Sequence, residues 1–300
     1  MKAGVNMKLN FNCIKCNINQ VIQVMELFKI ERGREEKAIR EVLDYLSSTD
    51  YDRCNPEVIQ GTWKIILKHI GNDNPYADIK KYYNSEVMKI EKEVENIIEK
   101  SDDKFNTALK IVIAGNLIDF AASHEFDIKM LEKQISNIEK TKLAIDESEI
   151  LHECLKNAKS LMYLGDNCGE ICLDKLFIKY IKREFPDIKV YFGVRGKAIV
   201  NDVTIEDAKM VGMQEVAEVI DNGDGSLGTV ISKVNDEFKN KFYDVDVIIA
   251  KGQGNYESLC EIDRENIFHL FMAKCGPVAK SLDVKPMSIV CVKNEKRHIW

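Results

Sequence analysis

Residues 161–183 read LMYLGDNCGEICLDKLFIKYIKR, and this stretch sets the fold class. Four apolar residues, Leu161 to Leu164, make a run of strand length. A polar loop with two glycines follows, and then an amphipathic segment over 170–183. Working outward, the same rhythm recurs through the second half of the chain. Short apolar runs at 190–192, 216–220, 245–250, 267–272 and 289–292 predict further strands. Amphipathic stretches at 205–211 and 227–242 predict helices between the earlier ones. Alternation of this kind means a mostly parallel, doubly wound sheet in a three-layer α/β/α arrangement.

Upstream of about residue 147 the texture changes. Only five of the sixteen glycines (4, 33, 61, 71 and 115) fall in residues 1–150. Val87, Ile90, Val94, Ile97 and Ile98 recur at three- and four-residue steps over 86–100, with Lys and Glu between them. Similar stripes over 17–30, 34–46, 56–70, 104–122 and 128–144 predict helices throughout. Asn-Pro at 55–56 and 74–75 reads as a helix cap with proline in the first turn. The expected organisation is therefore an all-helical domain over 1–146 and an α/β domain over 147–300. A polar turn near 146–148 joins them.

The 300 residues carry 43 Lys and Arg against 49 Asp and Glu, a net charge of −6. That balance excludes a chain built to coat a nucleic-acid polymer or an anionic membrane. No apolar run reaches the ~18 residues of a membrane span, and the opening MKAGVNMKLNFNCIKC lacks a signal-peptide segment. A cytoplasmic location is expected. Nine cysteines, odd in number and scattered, fit free thiols there better than a disulfide framework. Nothing in the sequence specifies an oligomeric state.

In a doubly wound sheet, ligands lie beyond the carboxyl ends of the strands. Three loops at such ends are unusually polar: GDNCGE at 165–170, VRGKAIVND at 194–202 and KGQGNYE at 251–257. Asp166, Asn167 and Asp202 are hard oxygen donors suited to Mg²⁺, Mn²⁺ or a similar divalent ion. Lys251 and Arg195 are cations that can neutralise phosphate oxygens. Glu170 opens the helix four residues after Asp166, where a proton-handling carboxylate can sit. The alternative for the first loop alone is that Asp166 and Asn167 merely cap that helix.

These residues also carry a resemblance. GDNCGE, RGKAIVND followed by VTIEDA, and KGQGNYESL resemble the DUF89 family of metal-dependent damage-control phosphatases with an ARMT1-like metal-binding domain. CIKC near the start, NPYADIKKYYN at 74–84 and AGNLIDF at 114–120 extend the similarity to its prokaryotic CxxC-containing branch. The resemblance implies a divalent metal (Mn²⁺, Ni²⁺, Co²⁺ or Mg²⁺) on Asp166, Asn167 and Asp202, and a substrate phosphate on Lys251. Within the same motifs, Glu170 is the expected proton carrier, and Arg195 and Asn255 are expected to contact substrate. Asn116 and Asp119 would close the site from the helical side or else pack helices.

Other signals weigh less. GDGSLG at 223–228 matches GxGxxG, follows an expected strand and precedes an expected helix. Asp221, Asn222 and Asp224 put carboxylates and an amide where a pyrophosphate would lie, which favours a plain glycine-rich turn. Cys13 and Cys16 form a lone CxxC, to which Cys275 could add a third thiol for a second metal or redox site. The histidines at 69, 124, 152, 269 and 298 form no zinc-hydrolase pattern, and neither GxSxG nor a P-loop occurs. The expectation is a metal-dependent phosphoric monoester hydrolase acting on a small phosphorylated metabolite: a sugar phosphate, or a damaged nucleotide or cofactor-related phosphate. The alternatives are an S-adenosylmethionine-dependent methyltransferase using the glycine run, and a non-catalytic protein binding metal or phosphometabolite.

Overall fold

A computed structural model describes residues 7–115 and 128–294. Among the described residues seven α-helices come first: α1 (Phe11–Leu27), α2 (Arg32–Ser47), α3 (Asn55–Ile70), α4 (Ala77–Lys89), α5 (Glu91–Lys100), α6 (Lys104–Gly115) and α7 (Ile128–Ser136). Pro56 lies in the first turn of α3, although Cys54 rather than Asn55 is the cap. The stripe over 86–100 is shared by two helices that meet at Ile90, whose N–H closes a short turn on the Val87 carbonyl at 3.1 Å. The helix expected to reach 144 stops at Ser136. There Ser136 Oγ and Asn137 Nδ2 both donate to the Lys133 carbonyl, at 2.9 and 2.8 Å.

The rest of the chain alternates. In order come β1 (Ile145–Asp146), α8 (Ser148–Asn157), β2 (Ser160–Leu164), α9 (Glu170–Glu184), β3 (Lys189–Val194), α10 (Ile205–Met210) and β4 (Glu218–Asp221). Then follow α11 (Asp236–Asp244), β5 (Val247–Lys251), α12 (Gly252–Leu259), β6 (Ile267–Ala273), α13 (Gly276–Ser281) and β7 (Ser288–Lys293). The seven strands lie in the order β1-β7-β6-β5-β2-β3-β4. Only the β6–β7 pairing is antiparallel. The mostly parallel sheet is thus as the sequence predicts, with β1 added at one edge.

Side chains of the central strands alternate between two apolar faces. Tyr163, Phe192, Ile249 and Phe268 join the helices α4–α9 on one side. Met162, Leu164, Tyr191 and Ile248 meet Phe238 and Phe242 of α11 on the other. Packing crosses the change of texture near residue 147. Leu109 of α6 and Leu131 of α7 share one cluster with the sheet, and Trp63 and Ile66 of α3 share another with Ile199 and Val200.

Two expected elements shift for local reasons. The strand over 216–220 starts at Glu218, because the Val216 and Ala217 N–H groups turn back on the Met213 carbonyl, each at 3.0 Å. The helix over 227–242 starts only at Asp236. Asn235 Oδ1 caps it by accepting the Phe238 N–H at 2.8 Å. Residues 223–228 therefore open no helix. No helix among the described residues is long and apolar enough to cross a membrane.

Candidate active site

The chain runs from β2 outward to β3 and β4, then returns to place β5 and β6 on the other side of β2. The point between β2 and β5 is the switch point of the sheet, beyond whose strand ends ligands of doubly wound folds lie. The backbone zips two polar loops together beside it. Val203 N–H donates to the Asp166 carbonyl and Cys168 N–H to the Asn201 carbonyl, both at 2.9 Å, and a single antiparallel bridge pairs Asn167 with Asp202. Asp166, Asn167 and Asp202 are so brought side by side, and all three are buried.

Their side chains interlock with the cations. Asn167 Nδ2 donates to Asp166 Oδ2 at 2.7 Å and to Glu170 Oε2 at 3.3 Å. Arg195 Nε donates to Asp202 Oδ2 at 2.7 Å and Nη1 to Thr229 Oγ1 at 3.4 Å, while its Nη2 is buried with no hydrogen-bond partner. Lys251, at the end of β5, commits all three ammonium protons: to the Val112 carbonyl at 2.9 Å, to Asp174 Oδ1 at 2.8 Å and to Glu170 Oε1. Tyr163 Oη donates to the same Asp174 oxygen at 2.6 Å. Asn255 ties the loops after β2 and β5 together. It donates to the Lys251 and Gly165 carbonyls at 2.7 and 3.3 Å and accepts from Thr229 Oγ1 at 2.8 Å.

Charge at the site does not balance. Asp166, Glu170, Asp174 and Asp202 are four buried carboxylates, and Arg195 and Lys251 are the two buried cations interleaved with them. Burial raises the Asp166 carboxyl well above its usual range, and the neighbouring Asp202 and Glu170 charges add to that. Burial also raises Asp202, against the pull of Arg195. It lifts Asp174 to about 6 despite Lys251. Burial opposes the Lys251 charge, yet Asp174 and Glu170 outweigh it and hold the ammonium above its ordinary value. Carboxyls here outnumber the buried cations, and burial opposes their ionisation while Lys274 and Arg195 offset it at Asp166; these are oxygen donors whose charge a hard divalent cation would stabilise, so the donor set fits one. No group of three or more His, Cys, Asp or Glu suited to a metal occurs among the described residues, so such an ion would depend on the Asn167 amide as a ligand.

The sequence profile of the damage-control phosphatase ARMT1-like domain matches residues 10–290. The chain belongs to the ARMT1-like damage-control phosphatase family. It is 35% identical to a damage-control phosphatase of Pyrococcus horikoshii over 96% of this chain and 99% of that one. It is 31% identical to a damage-control phosphatase of Archaeoglobus fulgidus over 93% and 96% of the two chains. The crystal structure of a DUF89 family protein from P. horikoshii superposes with a TM-score of 0.86 at 33% identity, covering 96% of this chain and 99% of that chain.

Within this ARMT1-like frame, the remaining sequence candidates fall into place as follows. Asn116 and Asp119 lie outside the described residues. Cys13 and Cys16 sit on α1 and Cys275 caps α13, where it accepts from Gln253 Nε2 at 3.4 Å; none of the three is in a disulfide. Burial pushes Cys13 up to about 12, reinforced by Glu257 and Cys275. The glycine run 223–228 is packed into the protein. A Cβ on Gly228 or Gly196 would strike the backbone of Gly254 or Gly223, and Asp224 accepts from Gln60 Nε2 at 2.6 Å. Sequence reasoning missed Asp174, Thr229, Lys80 and Asn84. The signal for the last two was present in NPYADIKKYYN, where a lysine and an asparagine four apart share one helix face.

Proposed function

We propose that this chain is a metal-dependent phosphatase that hydrolyses a small phosphorylated metabolite in metabolite damage control. The observation that carries the reading is the unbalanced cluster of four buried carboxylates against two buried cations at the switch point of the sheet. Its ARMT1-like relatives named as damage-control phosphatases support it. Asp166, Asn167 and Asp202 would hold the ion. When bound, it would supply Lewis-acid polarisation of a phosphoryl oxygen and a more acidic water.

The chain's own residues do the rest. Arg195 offers the unpartnered Nη2–H to a phosphoryl oxygen while Asp202 fixes its plane. Glu170 stands beside Asn167, where it takes the proton of the attacking water or returns one to the leaving oxygen. Lys251 keeps Glu170 in place; it reaches a phosphate only by releasing one of its three internal bonds. Asn255 acts through the backbone it braces. Sugar phosphates and damaged nucleotide or cofactor-related phosphates are the substrate classes proposed.

The test uses a generic aryl phosphate and Mn²⁺, Ni²⁺, Co²⁺ or Mg²⁺ in turn. Asp166→Asn and Asp202→Asn are expected to lower metal-dependent hydrolysis by roughly 10²-fold or more, beyond the usual effect of losing an outer-shell partner. Full activity in both variants would sink the assignment.

A further inference from the structure

Helix α4 lies outside the strand-end loops, yet two of its side chains reach them. Lys80 and Asn84, one turn apart, are 2% and 0% exposed. Asn84 Oδ1 accepts the Gly169 N–H at 2.6 Å, and Asn84 Nδ2 donates to Asp207 Oδ1 at 3.0 Å. Lys80 Nζ pairs with Asp207 Oδ2 at 2.5 Å. That same oxygen accepts the Thr204 N–H and Oγ1–H, both at 2.9 Å.

The sequence neighbours of these contacts give them their meaning. Gly169 lies two residues after Asn167 and directly before Glu170, and it sits at the start of α9 with φ +72. A residue at that position has an N–H with no helical carbonyl to receive it. Thr204 follows Asp202 by two residues. One side-chain amide therefore grips both loops: one through a backbone N–H, the other through a carboxylate that is itself tied to the backbone. A side-chain amide offers an acceptor and a donor on two separate atoms of one branch, one for each loop.

We propose that Asn84 is a positioning residue for the cation site, holding Asp166, Asn167 and Asp202 in register, and that Lys80 fixes Asp207 for it. The inference rests on the metal reading above. Asn84 touches neither ion nor substrate; it acts through Gly169 and Asp207. Outer partners of this kind set ligand orientation and therefore affinity.

The experiment titrates Mn²⁺ alone into wild type, Asn84→Leu and Asn84→Asp by calorimetry, with circular dichroism and thermal unfolding of each metal-free protein. Asn84→Leu removes both bonds and is expected to weaken Mn²⁺ binding by about 10- to 100-fold. Asn84→Asp keeps the acceptor for Gly169 but sets a carboxylate oxygen against Asp207 Oδ1, so it too is expected to weaken Mn²⁺ binding. A purely structural role would lower the melting temperature and leave the Mn²⁺ constant where it was. A folded Asn84→Leu with wild-type affinity overturns the proposal. Should that variant fail to fold, wild-type affinity in Asn84→Asp overturns it instead. A wild type that binds no Mn²⁺, and no Ni²⁺, Co²⁺ or Mg²⁺ when each is titrated in the same way, overturns the metal reading itself, an outcome separate from wild-type binding with unaltered variants.

Discussion

Gly252 has φ +78 and lies against the Asp166 carboxylate, so that a Cβ there would collide with both oxygens. It follows Lys251 directly, and only a residue without a side chain lets the start of α12 pass this close to the loop after β2. Gly252→Ala is expected to lower stability by about 1–3 kcal/mol and to displace Asp166. Thermal unfolding and metal-dependent hydrolysis together check this; wild-type values in both would refute the close approach. The Lys-Gly pair was legible in the sequence as a motif. Its reason was not, because the atom that forbids a side chain belongs to a loop far away in the chain. The same holds for Lys251. Its type suggested a phosphate ligand, but its partners Glu170, Asp174 and Val112 come from two helices and use every proton it has.

At the scale of elements, α12 joins the site to the thiol corner. Its Glu257 accepts from Gln253 Nε2 at 2.7 Å. Burial pushes its carboxyl from the ordinary 4.5 up to about 7, against hydrogen bonds from Gln253 and Asn55 that pull it down. The folded state thus keeps a proton that the unfolded chain releases. This contribution to stability is full below the unfolded value of 4.5 and falls as pH rises through about 7. The loss is of order 1–3 kcal/mol. Unfolding midpoints in denaturant between pH 5 and 8 would show the slope, and Glu257→Gln is expected to make it shallower, Asp174 keeping part of it. Elements with clean periodicity, such as β2, β6 and α9, were readable within a residue or two. Helix α11 was not, because amphipathic spacing continues upstream of Asn235 while the backbone there is bent around Gly228, which packs against the Gly254 carbonyl.

At the scale of the whole molecule, helices α4–α9 and the sheet share one apolar cluster. Leu109 of α6 is fully buried within it, and α6 packs on both α9 and β6. Leu109→Ala is expected to destabilise by about 2–5 kcal/mol. Because the cluster is continuous, calorimetry of wild type and variant is expected to show a single cooperative transition, with helices and sheet melting together. Two resolved transitions would contradict the shared core.

The sequence by itself determined the class of the fold and the identity of the three loops, since both depend on local information. Strand runs, helical stripes and polar strand ends are written in neighbouring residues, and GDNCGE, RGKAIVND and KGQGNYE carried the family. Tertiary structure alone decided how charge is apportioned. It set Arg195 on Asp202, buried Lys251 between Glu170 and Asp174, and brought Asn84 from α4 to both loops. Hydrogen bonds and Coulomb interactions act through space, between side chains that chain order separates, and burial strengthens them once the fold has removed the water.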